Sequence, residues 1–288
     1  MHILLHSLRH TFFDTVSLLP FLFLTYLFME FVEHMSEEKS EKLILKAGKL
    51  GPVFAGVLGA LPQCAFSSAV ASLYSGRIIT LGTLFAVFLS TSDEMLPVMI
   101  SNKLPISDIL TIIAVKTAIG IILGLVIDLV VNKKPSVESI THMCEEEGCH
   151  CHDGIVRSAF FHTLKVFGFI FAIAYLIEVL IGFVGEDFLA YVISPSPVVS
   201  NMICALVGLI PNCASSVVIT ELYVQGIISA GSMMSGLLTA AGMGTLVLFR
   251  TNKNFKENVM IVIVLWALGV IIGSALDLVG FQNLFMKG

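Results

Sequence analysis

Two short motifs place an amide and a thiol side by side inside otherwise apolar stretches of the chain. Residues 61–64 read Leu-Pro-Gln-Cys and residues 210–213 read Ile-Pro-Asn-Cys. A proline inside a helix removes a backbone hydrogen bond and clashes with the preceding turn, so each motif should break its helix. The polar groups at the two breaks are candidate ligands for a dehydrated ion: Gln63, Cys64, Ser67 and Ser68 in one motif, and Asn212, Cys213, Ser215 and Ser216 in the other.

The same motifs also have a purely structural interpretation. A kink flanked by small residues allows helices to pack closely, and one such break would be as consistent with packing as with binding. Two breaks in equivalent positions, each with an amide followed by a thiol, favour a binding site instead. Freed carbonyls and helix N-termini at such breaks can replace the hydration water of an ion.

Charged residues form a second candidate constellation. Residues 90–94 read Ser-Thr-Ser-Asp-Glu and lie inside the apolar segment 78–101. Adjacent carboxylates are costly within a bilayer, so Asp93 and Glu94 are predicted to line an ion path or a proton relay. The alternative, a boundary that faces water, is disfavoured by the apolar residues on both sides. Lys116 could pair with one of these acids or act as a fixed counter-charge, and Glu221 could face the cavity of the second motif.

A hydrophilic segment in the middle of the chain is rich in metal-binding side chains. Cysteine, histidine and carboxylate groups together suit Zn²⁺ and related transition metals, although the spacing is not that of a zinc finger. The residues of this accessory metal loop are His142, Cys144, Cys149, His150, Cys151 and His152. Because the loop lies outside the apolar segments, it could collect or sense metal without being the transport site. The alternative is a linker whose composition is incidental.

The elements that must position these groups are membrane helices. Of the 288 residues, 56% are hydrophobic and 13% are charged, and the mean hydropathy is +0.94. A soluble domain would carry about 25% charged residues. The apolar segments run approximately over 11–33, 51–76, 78–101, 107–132, 157–184, 198–224, 227–249 and 258–281. The expected fold is an all-α integral membrane protein with roughly ten membrane segments, some of them broken helices or re-entrant hairpins.

Several functional classes are disfavoured. A net charge of −5 argues against nucleic acid as a partner. We find no nucleotide-binding glycine loop, no HExxH motif and no GxSxG motif, and no histidine lies in the apolar segments near Cys64 or Cys213. The sequence therefore predicts neither an enzyme nor a cofactor other than a transported metal ion.

The two halves of the chain repeat each other. Cys64 and Cys213 lie 149 residues apart, and Asp128 and Asp277 have the same offset. Further pairs at this offset are Pro62 and Pro211, Gln63 and Asn212, Tyr74 and Tyr223, Gly82 and Gly231, Gly120 and Gly269, and Gly124 and Gly273. The two aspartates lie towards span ends, where capping is the simpler explanation. The halves differ as well, because residues 239–244 contain no acid and Leu265 replaces Lys116.

Basic residues are distributed as expected if one repeat is inverted. They favour the cytoplasmic side of a membrane. Loop 34–50 carries four lysines and its counterpart 185–197 has no Lys or Arg, while loop 250–257 carries three basic residues and its counterpart 101–106 only one. The predicted organisation is a membrane repeat over 1–132, a cytoplasmic linker over 133–156 and a second repeat over 157–288, with both termini outside. Inverted repeats with broken helices are typical of secondary transporters.

With these motifs the chain resembles the ten-transmembrane heavy-metal exporter family, whose members are labelled manganese transporters or arsenic efflux proteins. The resemblance rests on the two proline–amide–cysteine motifs, the run 90–94 and the His/Cys-rich linker, and it covers essentially the whole chain. It implies metal export across the inner membrane of a bacterium.

The candidate site leaves the substrate class open. Mn²⁺ prefers the oxygen ligands of Asp93, Glu94, Gln63 and Asn212, whereas thiolates from the two cysteines would suit a softer metal or an arsenical. An organic anion would instead use helix N-termini and Lys116. Acids outnumber bases among the candidates, so we expect a divalent cation, with Mn²⁺ favoured and protons on Asp93 or Glu94 as the exchanged ion. The expected partners are this inorganic solute and the lipid bilayer, and a homodimer is compatible with the sequence.

Overall fold

The computed structural model describes most of residues 8–27 and all of residues 50–60, 64–91, 95–131, 155–184 and 196–280. Within these ranges every regular element is an α-helix, as the composition predicts. Gln63, Asp93 and Glu94 lie outside the described residues, and so does the segment 132–154 with the accessory metal loop.

The first half contains five helices after the N-terminal helical residues between positions 8 and 27. They are α1 (Leu50–Gly59), α2 (Cys64–Ser75), α3 (Leu81–Ser90), α4 (Met95–Ser101) and α5 (Ile106–Val131). The second half contains α6 (Ile155–Val184), α7 (Pro197–Gly208), α8 (Cys213–Val224), α9 (Ala230–Thr239), α10 (Met243–Thr251) and α11 (Phe255–Val279). α8 and α9 begin and end 149 residues after α2 and α3, so the helix bounds follow the sequence offset.

Helix breaks occur at four places, two of them at the proline motifs. The predicted breaks separate α1 from α2 and α7 from α8. Two more separate α3 from α4 and α9 from α10. Pro97 lies in the first turn of α4, where its missing N–H is not needed. The break before α10 differs from the sequence interpretation of 227–249 as one continuous segment. There Gly242 adopts φ 53 and ψ −138, a conformation that favours glycine.

Burial separates inner helices from outer ones. Five described segments are long and apolar enough to cross a membrane: Leu81–Ser101, Ile106–Val131, Ala159–Leu176, Ala230–Thr251 and Phe255–Val279. The two that contain breaks are 73% and 94% buried over their apolar windows, against 22% to 31% for the other three. The broken pairs α3–α4 and α9–α10 therefore form the core, and α5, α6 and α11 present apolar side chains outwards.

Glycines let the outer helices approach the inner ones closely. A Cβ atom on Gly120 of α5 would lie 2.7 Å from the carbonyl oxygen of Ala86 on α3, and one on Gly269 of α11 would lie 2.9 Å from that of Ser235 on α9. Gly120 and Gly269 lie 149 residues apart in the sequence, and so do their contact partners Ala86 and Ser235. Small residues at helix contacts permit this backbone approach within a membrane.

Asp128 and Asp277 each cap the start of an inner helix. Asp128 accepts hydrogen bonds from Thr80 Oγ1 at 2.6 Å and from the Gly82 N–H at 2.7 Å. Asp277 accepts equivalent bonds from Ser229 Oγ and the Gly231 N–H, both at 3.0 Å. These contacts agree with the capping interpretation, since a carboxylate at a helix N-terminus satisfies N–H groups that have no partner within the helix.

The two halves are interlocked. α2 of the first half packs against α10 of the second, α8 of the second half packs against α4 of the first, and α3 contacts α9. The N-terminal helical residues pack against α6, where the Phe12 ring meets the Phe171 ring edge-on with 6.3 Å between the centroids. Each pair of broken helices in the core therefore contacts helices from the other half of the chain.

Candidate functional site

Both proline motifs end in the first residue of a helix. Cys64 begins α2 and Cys213 begins α8, so each thiol-bearing residue occupies a helix N-terminus inside the protein. Asn212 caps α8, with its Oδ1 accepting from the Ala214 N–H at 2.9 Å. This cap satisfies an N–H group that has no partner within the helix.

Hydroxyl groups continue both motifs one turn into the helices. Ser67 on α2 and Ser216 on α8 each lie three residues after the cysteine, and both are buried. Ser68, Ser72 and Ser215 are buried as well. Polar groups in such positions need hydrogen-bond partners or ligands. Ser215 donates to the Asn212 carbonyl oxygen at 2.8 Å.

Contacts at the two proline breaks include some with the opposite half of the chain. On one side, a Cβ atom on Gly244 of α10 would lie 2.8 Å from the Ser67 Cβ and 2.9 Å from the Ser67 carbonyl oxygen. On the other side, α8 packs against α4, which follows the acid run in sequence. Among the described residues, α2 after one break contacts α10 and α8 after the other contacts α4, so each break adjoins an element of the opposite half. That the two proline motifs meet each other stays a prediction.

Lys116 lies at the break between α3 and α4. Its side chain is 1% exposed, and its Nζ donates to the carbonyl oxygen of Thr91, the C-cap residue of α3. Carbonyl groups at a helix C-terminus carry partial negative charge, so they stabilise an ammonium group there. Leu265, the equivalent residue in the second half, is also 1% exposed. The first half therefore has a buried ammonium group where the second half has an apolar leucine side chain.

Glu221 lies away from the breaks. Its Oε2 accepts from Asn102 Nδ2 at 3.1 Å and its Oε1 from Gln225 Nε2 at 3.2 Å, near the C-terminal end of α8. Eight residues of helix separate Glu221 from Cys213, or about 12 Å. Glu221 therefore lies towards the end of α8 that is away from the proline break, and its place in the site stays a prediction.

The described part of the site consists of hydroxyl, amide and carbonyl groups with one ammonium. The side chains of Cys64 and Cys213 lie outside the described atoms, as do Gln63, Asp93 and Glu94. Among the residues that the structure describes, no group of three or more His, Cys, Asp or Glu side chains could hold a metal ion. The acids of 93–94 would have to supply the negative charge of a cation site.

A cluster around Glu257 was not predicted from the sequence. Glu257, in the first turn of α11, forms an ion pair with Arg77, which follows α2. Its hydrogen bond with Glu257 raises the pKa of the Arg77 guanidinium, so this group stays charged. The two residues lie 180 positions apart. The sequence feature that could have indicated this cluster is the charge of Arg77, because its counterpart in the second half is the uncharged Gly226.

Apolar outer helices around two buried pairs of broken helices define a multi-pass α-helical membrane protein. The chain belongs to the family described as "Putative, 10TM heavy-metal exporter", whose model matches residues 1–196. This membership confirms the resemblance that the motifs indicated, and the family description points to the export of heavy metals. Neither the curated proteins nor the solved structures contain a match to the chain.

Proposed function

We propose that the chain is a secondary transporter that exports a divalent transition-metal ion, with Mn²⁺ as the favoured cargo, across the cytoplasmic membrane of a bacterium in exchange for protons. The observation that carries the proposal is the buried Lys116 ammonium on the Thr91 carbonyl. The carbonyl at this helix break stabilises a cationic group, and two residues further on lies a pair of acids, whose two negative charges would exceed the charge of Lys116 and attract a divalent cation. The proposal requires no catalytic residue and no cofactor.

The direction of equivalent helices supports two inverted repeats. Asp128 near the end of α5 contacts Gly82 at the start of α3, and Glu257 at the start of α11 contacts Arg77 just before α3. The end of α5 and the start of α11 therefore lie at the same end of the bundle. Because α5 and α11 are equivalent in sequence, this antiparallel relation is the one that inverted repeats produce.

In the proposed mechanism the acidic break binds the cargo. Asp93 and Glu94 would ligate the metal together with Asn212, Ser216 and freed carbonyls, because α8 packs against α4. Gln63, Cys64 and Ser67 would line the neighbouring part of the path from α2. Lys116 would balance the acids when the metal has left, and protons on Asp93 or Glu94 would do so during the return step.

The two cargo classes call for different donor atoms. The oxygen donors are the side chains of Ser67, Ser216 and Asn212 and the Thr91 carbonyl. Mn²⁺ prefers such ligands, whereas Zn²⁺ and arsenicals would depend on the two cysteine thiols. Removing the two cysteine thiols therefore distinguishes the two cargo classes.

The test is transport by the full chain reconstituted in proteoliposomes with a pH gradient. Mn²⁺, Zn²⁺ and arsenite are offered one at a time to the parent, to Asp93→Asn with Glu94→Gln, and to Cys64→Ser with Cys213→Ser. We expect proton-coupled Mn²⁺ transport that the acid variant loses and the serine variant keeps. Transport lost only in the serine variant would assign a soft cargo, and no movement of any metal by the parent would overturn the proposal.

An organic anion is the second candidate cargo, and one observation favours it. The first turn of α2 packs against the first turn of α10 at Ser67 and Gly244, so two helix N-termini converge there. Helix N-termini and a fixed cation attract anions. Efflux of a carboxylate solute by the same proteoliposomes, abolished by Lys116→Leu and unaffected by the acid variant, would select this alternative.

A further inference from the structure

The Glu257 cluster joins the two halves at one end of the bundle. Arg77 donates from both terminal nitrogens to the two carboxylate oxygens, at 3.1 and 2.7 Å. The Tyr74 hydroxyl donates to Oε1 at 2.7 Å, and Asn252 Nδ2 donates to Oε2 at 3.3 Å. The guanidinium also lies over the Tyr74 ring, 5.3 Å from its centroid. One carboxylate of the second half thus holds two side chains of the first.

This cluster is built more firmly than an ordinary surface ion pair. The side chains of Arg77 and Glu257 are only 29% and 13% exposed, so water screens them less than an exposed pair. A paired fork of N–H groups on a carboxylate fixes both distance and orientation. Next to it, the hydroxyls of Ser75 and Thr251 lie 2.6 Å apart and join the ends of α2 and α10.

The backbone of Arg77 indicates what the side chain is for. Arg77 has φ 57, in the left-handed region that favours glycine, and its repeat counterpart Gly226 has φ 72. Both halves therefore make the same turn after equivalent helices, but the first half makes it with a residue that this conformation disfavours. The bonds from Arg77 to Glu257 are the observed compensation for that backbone cost.

The opposite end of the bundle has a glycine at the position equivalent to Arg77. There the equivalents of Tyr74 and Glu257 are Tyr223 and Asp108, and Gly226 stands in place of Arg77. Among the described residues, the cross-half hydrogen bond at this end runs from the neutral Asn102 to Glu221. Along α5, Asp108 at this end and Asp128 near Arg77 are 20 residues apart, or about 30 Å.

We propose that Tyr74, Arg77 and Glu257 form a latch that holds one end of the protein closed, and that the end with Gly226 opens more readily. The inference rests on the proposed transport function, because a transporter with a central site must open its two ends in turn. The latch end is the one that the basic residues of 250–257 assign to the cytoplasm. Breaking the latch shifts the protein towards a state that is open to the cytoplasm.

The test measures how fast a buried thiol reacts at each end. Ser72 lies on α2 between the latch and the first turn of that helix, and Thr220 lies on α8 at the other end, and both are buried. Ser72→Cys and Thr220→Cys are made separately in the full chain and labelled in detergent with a water-soluble maleimide, with labelling of the parent cysteines subtracted. Arg77→Gly is then added to each, since glycine suits the backbone at this position.

The latch predicts that Arg77→Gly raises the labelling rate at position 72 by about tenfold or more, since loss of charged hydrogen bonds shifts an equilibrium by at least that factor. The rate at position 220 should stay unchanged or fall, and Arg77→Lys should give an intermediate rate at position 72. An unchanged rate at position 72 would overturn the proposal. Equal increases of the labelling rate at both positions would also overturn it, because they would show that the substitution destabilises the whole protein and not one end of it. No cargo is present, so this result is independent of what the protein transports.

Discussion

At the scale of single residues, the difference between the halves is concentrated in a few substitutions at equivalent positions. Lys116 and Leu265 are equally buried, yet only Lys116 carries charge. A buried ammonium is costly unless it is paired, and its bond to the Thr91 carbonyl meets part of that cost. A chain that keeps such a charge in one half and a leucine in the other uses the charge for something other than packing.

Replacing Lys116 by leucine tests that argument. The substitution Lys116→Leu should fold, because Leu265 fits the equivalent position, but metal transport in proteoliposomes should fall by about tenfold or more as the acids lose their counter-charge and Thr91 loses a charged hydrogen bond. The matched control is Lys165→Leu on α6, whose side chain is exposed and should be replaceable without loss. Normal transport by Lys116→Leu would remove Lys116 from the coupling machinery.

At the scale of helices, the sequence predicts some breaks and misses others for a physical reason. Proline breaks a helix through its own ring and missing N–H, so the breaks before Cys64 and Cys213 can be predicted locally. The break at Gly242 depends on how closely α10 approaches Ser67, which is a tertiary contact. The charge of Lys116 was likewise visible in the sequence, whereas its Thr91 partner was not, because 25 residues separate them.

The contact between α2 and α10 gives a prediction about stability. Gly244→Ala would place a Cβ atom 2.8 to 2.9 Å from Ser67, mostly from its backbone, so the two helices must separate. We expect a loss of about 1–3 kcal/mol in the free energy of unfolding, as for other overpacked cores. Thermal unfolding in detergent measures it as a lower midpoint.

Gly168→Ala is the control for that experiment. Gly168 lies within α6, and a Cβ atom there would meet no atom within 4 Å. Alanine favours a helix over glycine by roughly 0.5–1 kcal/mol, so this substitution should leave the midpoint unchanged or raise it. Similar midpoints for both variants would show that α2 and α10 do not constrain each other at Ser67.

At the scale of the whole molecule, the interlocked halves make the two ends of the protein chemically different. Among the described residues, an ion pair joins the halves at one end, and an amide-to-carboxylate hydrogen bond joins them at the other. The distribution of basic residues predicts that loop 250–257 faces the cytoplasm and that its counterpart 101–106 faces the outside.

That orientation can be measured at two matched positions. Lys103 and Lys253 are both exposed and lie in the equivalent loops before α5 and α11. If the repeats are inverted, a membrane-impermeant maleimide should label Lys103→Cys in intact cells, whereas Lys253→Cys should react only after the membrane is permeabilised. The parent protein supplies the background from its native cysteines. Labelling of both positions from the same side would refute the inversion, since α5 and α11 would then start on one face of the membrane. Labelling with the two sides exchanged would keep the inversion and place the Arg77–Glu257 pair outside the cell.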